Sequence, residues 1–294
     1  LRTELAWLQK GAKARRTKQK SRIDWIAKMQ SEQKKTDQRD IKIEVGTSFL
    51  GGRVIDATNL AKSVAGKQLF KDFTYVAAPG DRIGIIGPNG SGKSTLLRIL
   101  SGEIEPDAGY VNTGSTVRIG FFRQENSAID PTQTVIGSLR EIAEFIDTGV
   151  GRDRYISARE LLDRFLFPPK QQHSQIQTLS GGERRRLELL RVLMGNPNVL
   201  FLDEPTNDFD IATLSTLEEY LQHFLGCLII VSHDRAFLDR TVNTIYAFEE
   251  SGKIKEYPGN YSAYLETKEQ ADSLRSQNAA AARKKDEKRE LAEP

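Results

Sequence analysis

Gly87-Pro88-Asn89-Gly90-Ser91-Gly92-Lys93-Ser94, directly after the short apolar run Arg82-Ile83-Gly84-Ile85-Ile86, decides the fold class of this chain. The spacing is that of a phosphate-binding loop, G-x-x-x-x-G-K-S, entered from a strand and left through a helix predicted from Lys93 to Leu100. Glycines at these places let backbone N–H groups turn inward around an anion, and the helix N-terminus adds partial positive charge. Lys93 is expected to reach the β- and γ-phosphates and the Ser94 hydroxyl to ligate Mg²⁺, with Thr95 completing the nucleotide-contacting run. A glycine turn beside an incidental lysine would explain neither flank.

Four further signals follow in order. Gln124, in Phe122-Arg123-Gln124-Glu125, falls in a loop after a strand predicted over Val117–Phe122, a place suited to a reversible contact with Mg²⁺ or water. Leu179-Ser180-Gly181-Gly182-Glu183 opens a helix with two bare glycines and so presents backbone N–H groups to an anion. Since the first loop already serves a triphosphate, this second helix end fits a nucleotide held by another domain. The strand Val199–Leu202 runs into Asp203-Glu204-Pro205, where two consecutive carboxylates can divide the work. Asp203 would hold the metal, and Glu204, free of it, would polarise the attacking water as general base. His233, in Ser232-His233-Asp234 after the strand Leu228–Val231, is placed to contact the γ-phosphate and sense its loss. His173 and His223 lack such a setting.

The rest of the chain reads as alternating strand and helix around these motifs, which predicts a parallel sheet. Strands are expected over Val54–Leu60 and Gln68–Val76, and helices over Glu183–Met194, Thr213–Phe224 and Arg235–Asp239. Residues 132–166 look helical, with Ile136, Leu139, Ile142 and Ile146 on one face and Pro168-Pro169 ending the segment. Pro106, Gly109 and Gly114 read as turn markers.

Composition sets outer limits. With 294 residues, 38% hydrophobic and a mean hydropathy of −0.48, the chain holds one full domain plus extensions. The apolar run Cys227–Val231 falls far short of the ~20 residues that cross a bilayer, so no direct membrane insertion is expected. No charged leader followed by an apolar core is visible, and the opening at Leu1 reads as the start of a piece of a longer protein. Cys227 is the single cysteine, which excludes an internal disulfide and suits a reducing, cytoplasmic setting. Its apolar neighbours predict a small buried side chain rather than a reactive thiol.

Charge is unevenly spread. Residues 1–40 hold 12 Lys or Arg against 5 Asp or Glu, in a chain whose formal net charge is only +3. Lys13–Arg22 carries six basic residues and no acid. Such density favours contact with a nucleic-acid backbone, against the alternative of a solvated helix face. The segment reads as helix, turn at Gly11, helix, with Trp7 and Trp25 as packing residues rather than base-stacking platforms.

Taken together, the motifs resemble those of ATP-binding-cassette (ABC) ATPases over roughly residues 52–258, and those of the ABC-F branch, Uup type, over nearly the whole chain. The closer likeness rests on Glu204-Pro205-Thr206-Asn207 with Asp208-Phe209-Asp210, on Ser232 to Asp239, and on Pro258-Gly259-Asn260-Tyr261-Ser262-Ala263-Tyr264. Glu4-Leu5-Ala6-Trp7 and Ala12-Lys13-Ala14-Arg15 add to it. The resemblance implies a P-loop NTPase of the ABC type: α/β, a mixed central sheet with an antiparallel β subdomain and a helical signature subdomain, plus N-terminal linker helices. It divides the chain into a basic helical linker over 1–45, an ABC ATPase domain over 46–262 and a charged tail over 263–294, helical at first and then disordered. It further implies ATP and Mg²⁺ as cofactors, and two cassettes closing over two ATP molecules, each between one phosphate loop and the other's Ser180–Glu183 equivalent. The partner is a second ABC domain of the same polypeptide, or else a second copy. Asp210 would belong to the loop coupling the two sites, and the ribosome, met through the basic residues 13–22, is the implied target. Two departures stand out. Val64 occupies a segment where many ABC domains place an aromatic against adenine, which predicts weak base recognition, and Phe209 replaces a more usual Leu. The core motifs are shared by ATP-binding subunits of membrane transporters, by DNA-directed ABC ATPases and by binders that use ATP only as a clamp. The basic linker and the Tyr261 region speak against the first. The lack of a long coiled coil between Gln124 and Leu179 speaks against the second.

Overall fold

Two strands, Val199–Asp203 (β8) and Cys227–Val231 (β9), are buried at every position, which requires cover on both faces of a sheet. Their side chains alternate between two cores. Leu200, Leu202, Leu228 and Ile230 point into one, while Val199, Phe201, Cys227, Ile229 and Val231 point into the other. The computed structural model describes residues 54–124, 129–147, 155–249, 252–271 and 273. The chain divides into two units, Leu1–Lys42 and Ile43–Pro294. The first lies outside the described residues, and with it the expected linker helices, both tryptophans and the basic cluster.

Around β8 and β9 the six-stranded sheet runs β11-β10-β3-β9-β8-β5, with β3 at Arg82–Ile86, β5 at Ile119–Phe122, β10 at Thr244–Phe248 and β11 at Ile254–Pro258. Every pairing is parallel except β10 with β11. A separate antiparallel sheet joins β1 (Ile55–Val64), β2 (Lys67–Ala77) and β4 (Ala108–Thr113) in the order β2-β1-β4. It packs on the second core together with the helix α1, Lys93–Leu100.

The expected strands and the helices α5 (Gly181–Met194), α6 (Ile211–His223) and α7 (Arg235–Thr241) form, each within two residues of its predicted bounds except β1, which runs four residues further at its C-terminal end. The helix expected through residues 132–166 does not. It breaks into α2 (Val135–Arg140), the paired strands β6 (Phe145–Asp147) and β7 (Tyr155–Ser157), and α3 (Ala158–Arg164). Ile136, Leu139 and Ile146 are indeed buried, but Ile142 is 38% exposed. Thr134 and Ser157 each accept a hydrogen bond from the residue three ahead, so two separate N-caps replace one continuous helix. The short turn α4 (Pro169–Gln172) follows.

Gly109 is not a turn residue either. It lies inside β4 at φ 81°, opposite the register shift between Thr58 and Ala61 of β1. A Cβ there would stand 2.3 Å from the Thr58 carbonyl oxygen, so only glycine fits the bulge.

Candidate nucleotide site

The C-terminal ends of β3, β8 and β9 converge on a cleft of about 500 Å³ lined by Asn89, Gly90, Gly92, Lys93, Ser94, Thr95, Gln124, Asp203, Glu204 and His233, among others. The Gly87–Gly92 loop enters it from β3 and leaves into α1. At Gly92, φ is 109° and a Cβ would come within 2.9 Å of Leu69. Both facts demand glycine at the point where the chain must turn its amides toward a ligand. Lys93 is buried, and its ammonium donates to the carbonyls of Gly87 (2.9 Å) and Pro88 (3.0 Å). Burial pulls its pKa below the usual lysine value, against the opposing fields of Glu204 and Asp203.

Asp203 ends β8, 3% exposed. Burial raises its pKa; a hydrogen bond with the Ser94 hydroxyl works against that rise, and the neighbouring Glu204 charge adds to it. Its Oδ1 is buried without a hydrogen-bond partner. An orphaned carboxylate oxygen beside a serine hydroxyl, in a pocket open to a triphosphate, suits a hard cation. Among the described residues no group of three His, Cys, Asp or Glu is arranged to hold a metal ion by itself. A cation here would take phosphate oxygens and water for its remaining ligands, which is how Mg²⁺ is bound alongside nucleotides.

Glu204 follows at φ 50°, ψ 51°, buried to 7% exposure. The left-handed turn swings its carboxylate back toward His233. The His233 backbone N–H donates to Oε2 at 3.3 Å, and the ring Nε2 lies 3.3 Å from Oε1 and 3.1 Å from Asn89 Oδ1. Both neighbours of Nε2 are acceptors, which favours the tautomer with the proton on that nitrogen.

Gln124 reaches the same cleft. Ser180–Glu183 and Asp210 do not line it. Ser180 caps α5 in a reciprocal box with Glu183, whose Oε2 accepts from the Ser180 backbone N–H at 2.8 Å while Ser180 Oγ accepts from the Glu183 N–H at 3.3 Å. The Gln171 amide holds Glu183 Oε1 at 2.5 Å and lowers the Glu183 pKa. Among the described residues, its own helix and chain neighbours aside, nothing lies within 4 Å of a Cβ at Gly181, so their packing does not call for glycine there. Asp210 caps α6 through the Thr213 N–H at 2.7 Å, which depresses its pKa, and pairs with Arg186 at 3.3 Å. Sequence reasoning missed Asn207, which lines the cleft, and the buried Arg185, hidden in a run of three arginines that reads as surface charge.

A family profile described as "ABC transporter" matches residues 70–207. YfmR of Bacillus subtilis, an uncharacterized ABC transporter ATP-binding protein, is 48% identical over 90% of this chain and 42% of its own length. Uup of Escherichia coli is 36% identical over 98% of this chain and 46% of its own. The chain is a homologue of Uup and EttA, proteins of the ABC-F family. It therefore carries an ATP-binding ABC domain, in a family whose members hydrolyse ATP. EttA of E. coli, an energy-dependent translational throttle protein, is 38% identical over 92% of this chain and 49% of its own length. The chain spans about half the length of these curated relatives. Its fold is that of solved ABC domains: an ATP-binding subunit of an ABC transporter matches 70% of the chain at a TM-score of 0.58 and 20% identity. The ATP-binding cassette MJ0796, as a post-hydrolysis dimer with ADP and Pi, matches 70% at 0.56 and 22%. No described helix is long and apolar enough to cross a membrane.

Proposed function

We propose that this chain binds and hydrolyses ATP as one half of a two-cassette ABC-F ATPase in the cytoplasm, acting on the ribosome in translation. The observation that carries the reading is the convergence of Lys93, Ser94, Gln124, Asp203, Glu204 and His233 on one cleft. Lys93 leaves its two carbonyl partners for the β- and γ-phosphates. Ser94 and Asp203 would hold Mg²⁺, which offsets the charge building on the phosphates. Gln124 closes the γ-phosphate side. Glu204, kept off the metal by its reversed backbone, orients the attacking water and accepts its proton. His233 donates through Nε2 to the γ-phosphate and loses that contact when phosphate leaves. The bare N–H groups at Gly181 and Gly182 serve the nucleotide of the other cassette, which is why neither lines this chain's own cleft.

Glu204→Gln keeps the carboxylate's shape but not its basicity. It is expected to leave Mg·ATP affinity within about threefold while lowering turnover by roughly 10²-fold or more; unchanged steady-state hydrolysis rejects the assigned base. The ribosomal role rests on the likeness to EttA and on the charge of residues 13–22. Neutralising those six charges should weaken ribosome binding and flatten its salt dependence. Binding that is indifferent to both changes removes the ribosome from the proposal and leaves the ATPase standing.

A further inference from the structure

Segments from three sides of the site meet at a buried guanidinium that belongs to none of the motifs. Arg185 sits one turn into α5, two residues beyond Glu183, with its side chain only 5% exposed. Its Nε donates to Asp208 Oδ2 at 2.8 Å, its Nη1 to Glu188 Oε2 at 2.6 Å, and its Nη2 to the backbone carbonyl of Arg123. The plane lies over the Phe122 ring, 4.0 Å from the centroid, and Phe209 packs on the same ring at 5.6 Å. Phe122 and Arg123 immediately precede Gln124. Asp208 and Phe209 lie between Glu204 and Asp210. Glu188 anchors the fork to its own helix.

We infer that Arg185 is a positioning residue that couples the Gln124 segment, in contact with this chain's nucleotide, to the Ser180–Gly182 end of α5 and the Asp208–Asp210 loop, which face the other cassette. The fork is rigid and planar, and each donor has a different element as partner, so a shift of any one is felt by the other two. A lysine carries the same charge but offers a single point, and it cannot hold three directions at once. The inference rests on the functional reading above, in which Gln124 follows the γ-phosphate.

Hydrogen exchange on the chain held dilute, with and without Mg·ATP, separates the two. In the unmodified chain nucleotide should slow exchange over 87–95 and also over 180–186. In Arg185→Lys the slowing at 87–95 should persist and that at 180–186 should shrink at least fivefold. Asp208→Ala, which removes the Nε acceptor at a carboxylate 41% exposed, should give the same split and covers the case in which the arginine variant does not fold. A role confined to packing would lower the melting temperature and leave the transmitted slowing intact. Equal transmission in both variants, or none in the unmodified chain, overturns the coupling. Failure of nucleotide to protect 87–95 at all overturns the ATP-site reading instead.

Discussion

Glu204 shows how a single residue's backbone can choose its chemistry. A non-glycine residue in the left-handed region is held there at a cost of about 1–2 kcal/mol, and here the surrounding β8–β9 pairing fixes it, with the Glu204 N–H donating to the Val231 carbonyl at 2.8 Å. Two adjacent carboxylates thereby end on different tasks, one aimed at the Ser94 hydroxyl and one at His233. The pair was legible in the sequence as Asp-Glu after an apolar run, but the backbone reversal that separates them was not, because nothing in Glu itself prefers that conformation. Cys227 was legible too: it is fully buried, and burial lifts its thiol pKa to about 12. At pH 8.5 the thiolate fraction should be below roughly one in a thousand, against half for a free thiol. Iodoacetamide should therefore leave the folded chain unlabelled over an hour and react within minutes once denaturant is added. Rapid labelling of the native form would contradict this burial.

At the level of elements, periodicity found the buried strands and the long amphipathic helices, since those faces have one partner and one period. It failed where local chemistry overrides the period. In residues 132–166 the apolar spacing is helical, but two side-chain caps and a β pair intervene. Gly109 reads as a turn from its identity alone, whereas its need comes from a carbonyl on a strand some fifty residues earlier. Gly109→Val should destabilise the fold by about 2 kcal/mol or more, measured as a lower denaturation midpoint; a neutral outcome would mean the bulge relaxes freely. The junction between α7 and the helix over 261–271 is held by Asp239, whose carboxylate accepts from the Ser262 N–H (2.7 Å) and hydroxyl (2.5 Å). These bonds, the hydroxyl's foremost, hold its pKa below the usual carboxylate value. The stabilisation is thus complete above the ordinary range near pH 4 and lost as pH falls through the lowered value. Asp239→Asn should speed amide exchange over 261–271 at pH 7 several-fold, and the difference from the unmodified chain should vanish in acid.

On the scale of the whole molecule, one cleft gathers the phosphate loop and both acidic residues, while Ser180–Gly182 sits outside it. That division was readable from motif order, because two anion-binding helix ends in one chain exceed what one triphosphate needs. The chain alone should accordingly hydrolyse ATP slowly, with specific activity rising as protein concentration rises and copies pair. Brisk turnover independent of concentration would contradict a site shared between cassettes. The Asp239–Ser262 clasp has a mechanical corollary. Helix α7 starts two residues past His233, and its far end is bolted to the segment over 261–271, whose Tyr264 stacks edge-on against Tyr257 of β11 at 4.9 Å. The segment over 261–271 is thus pinned at two points, to α7 and to β11, so that a displacement of it is passed to the helix that begins beside His233.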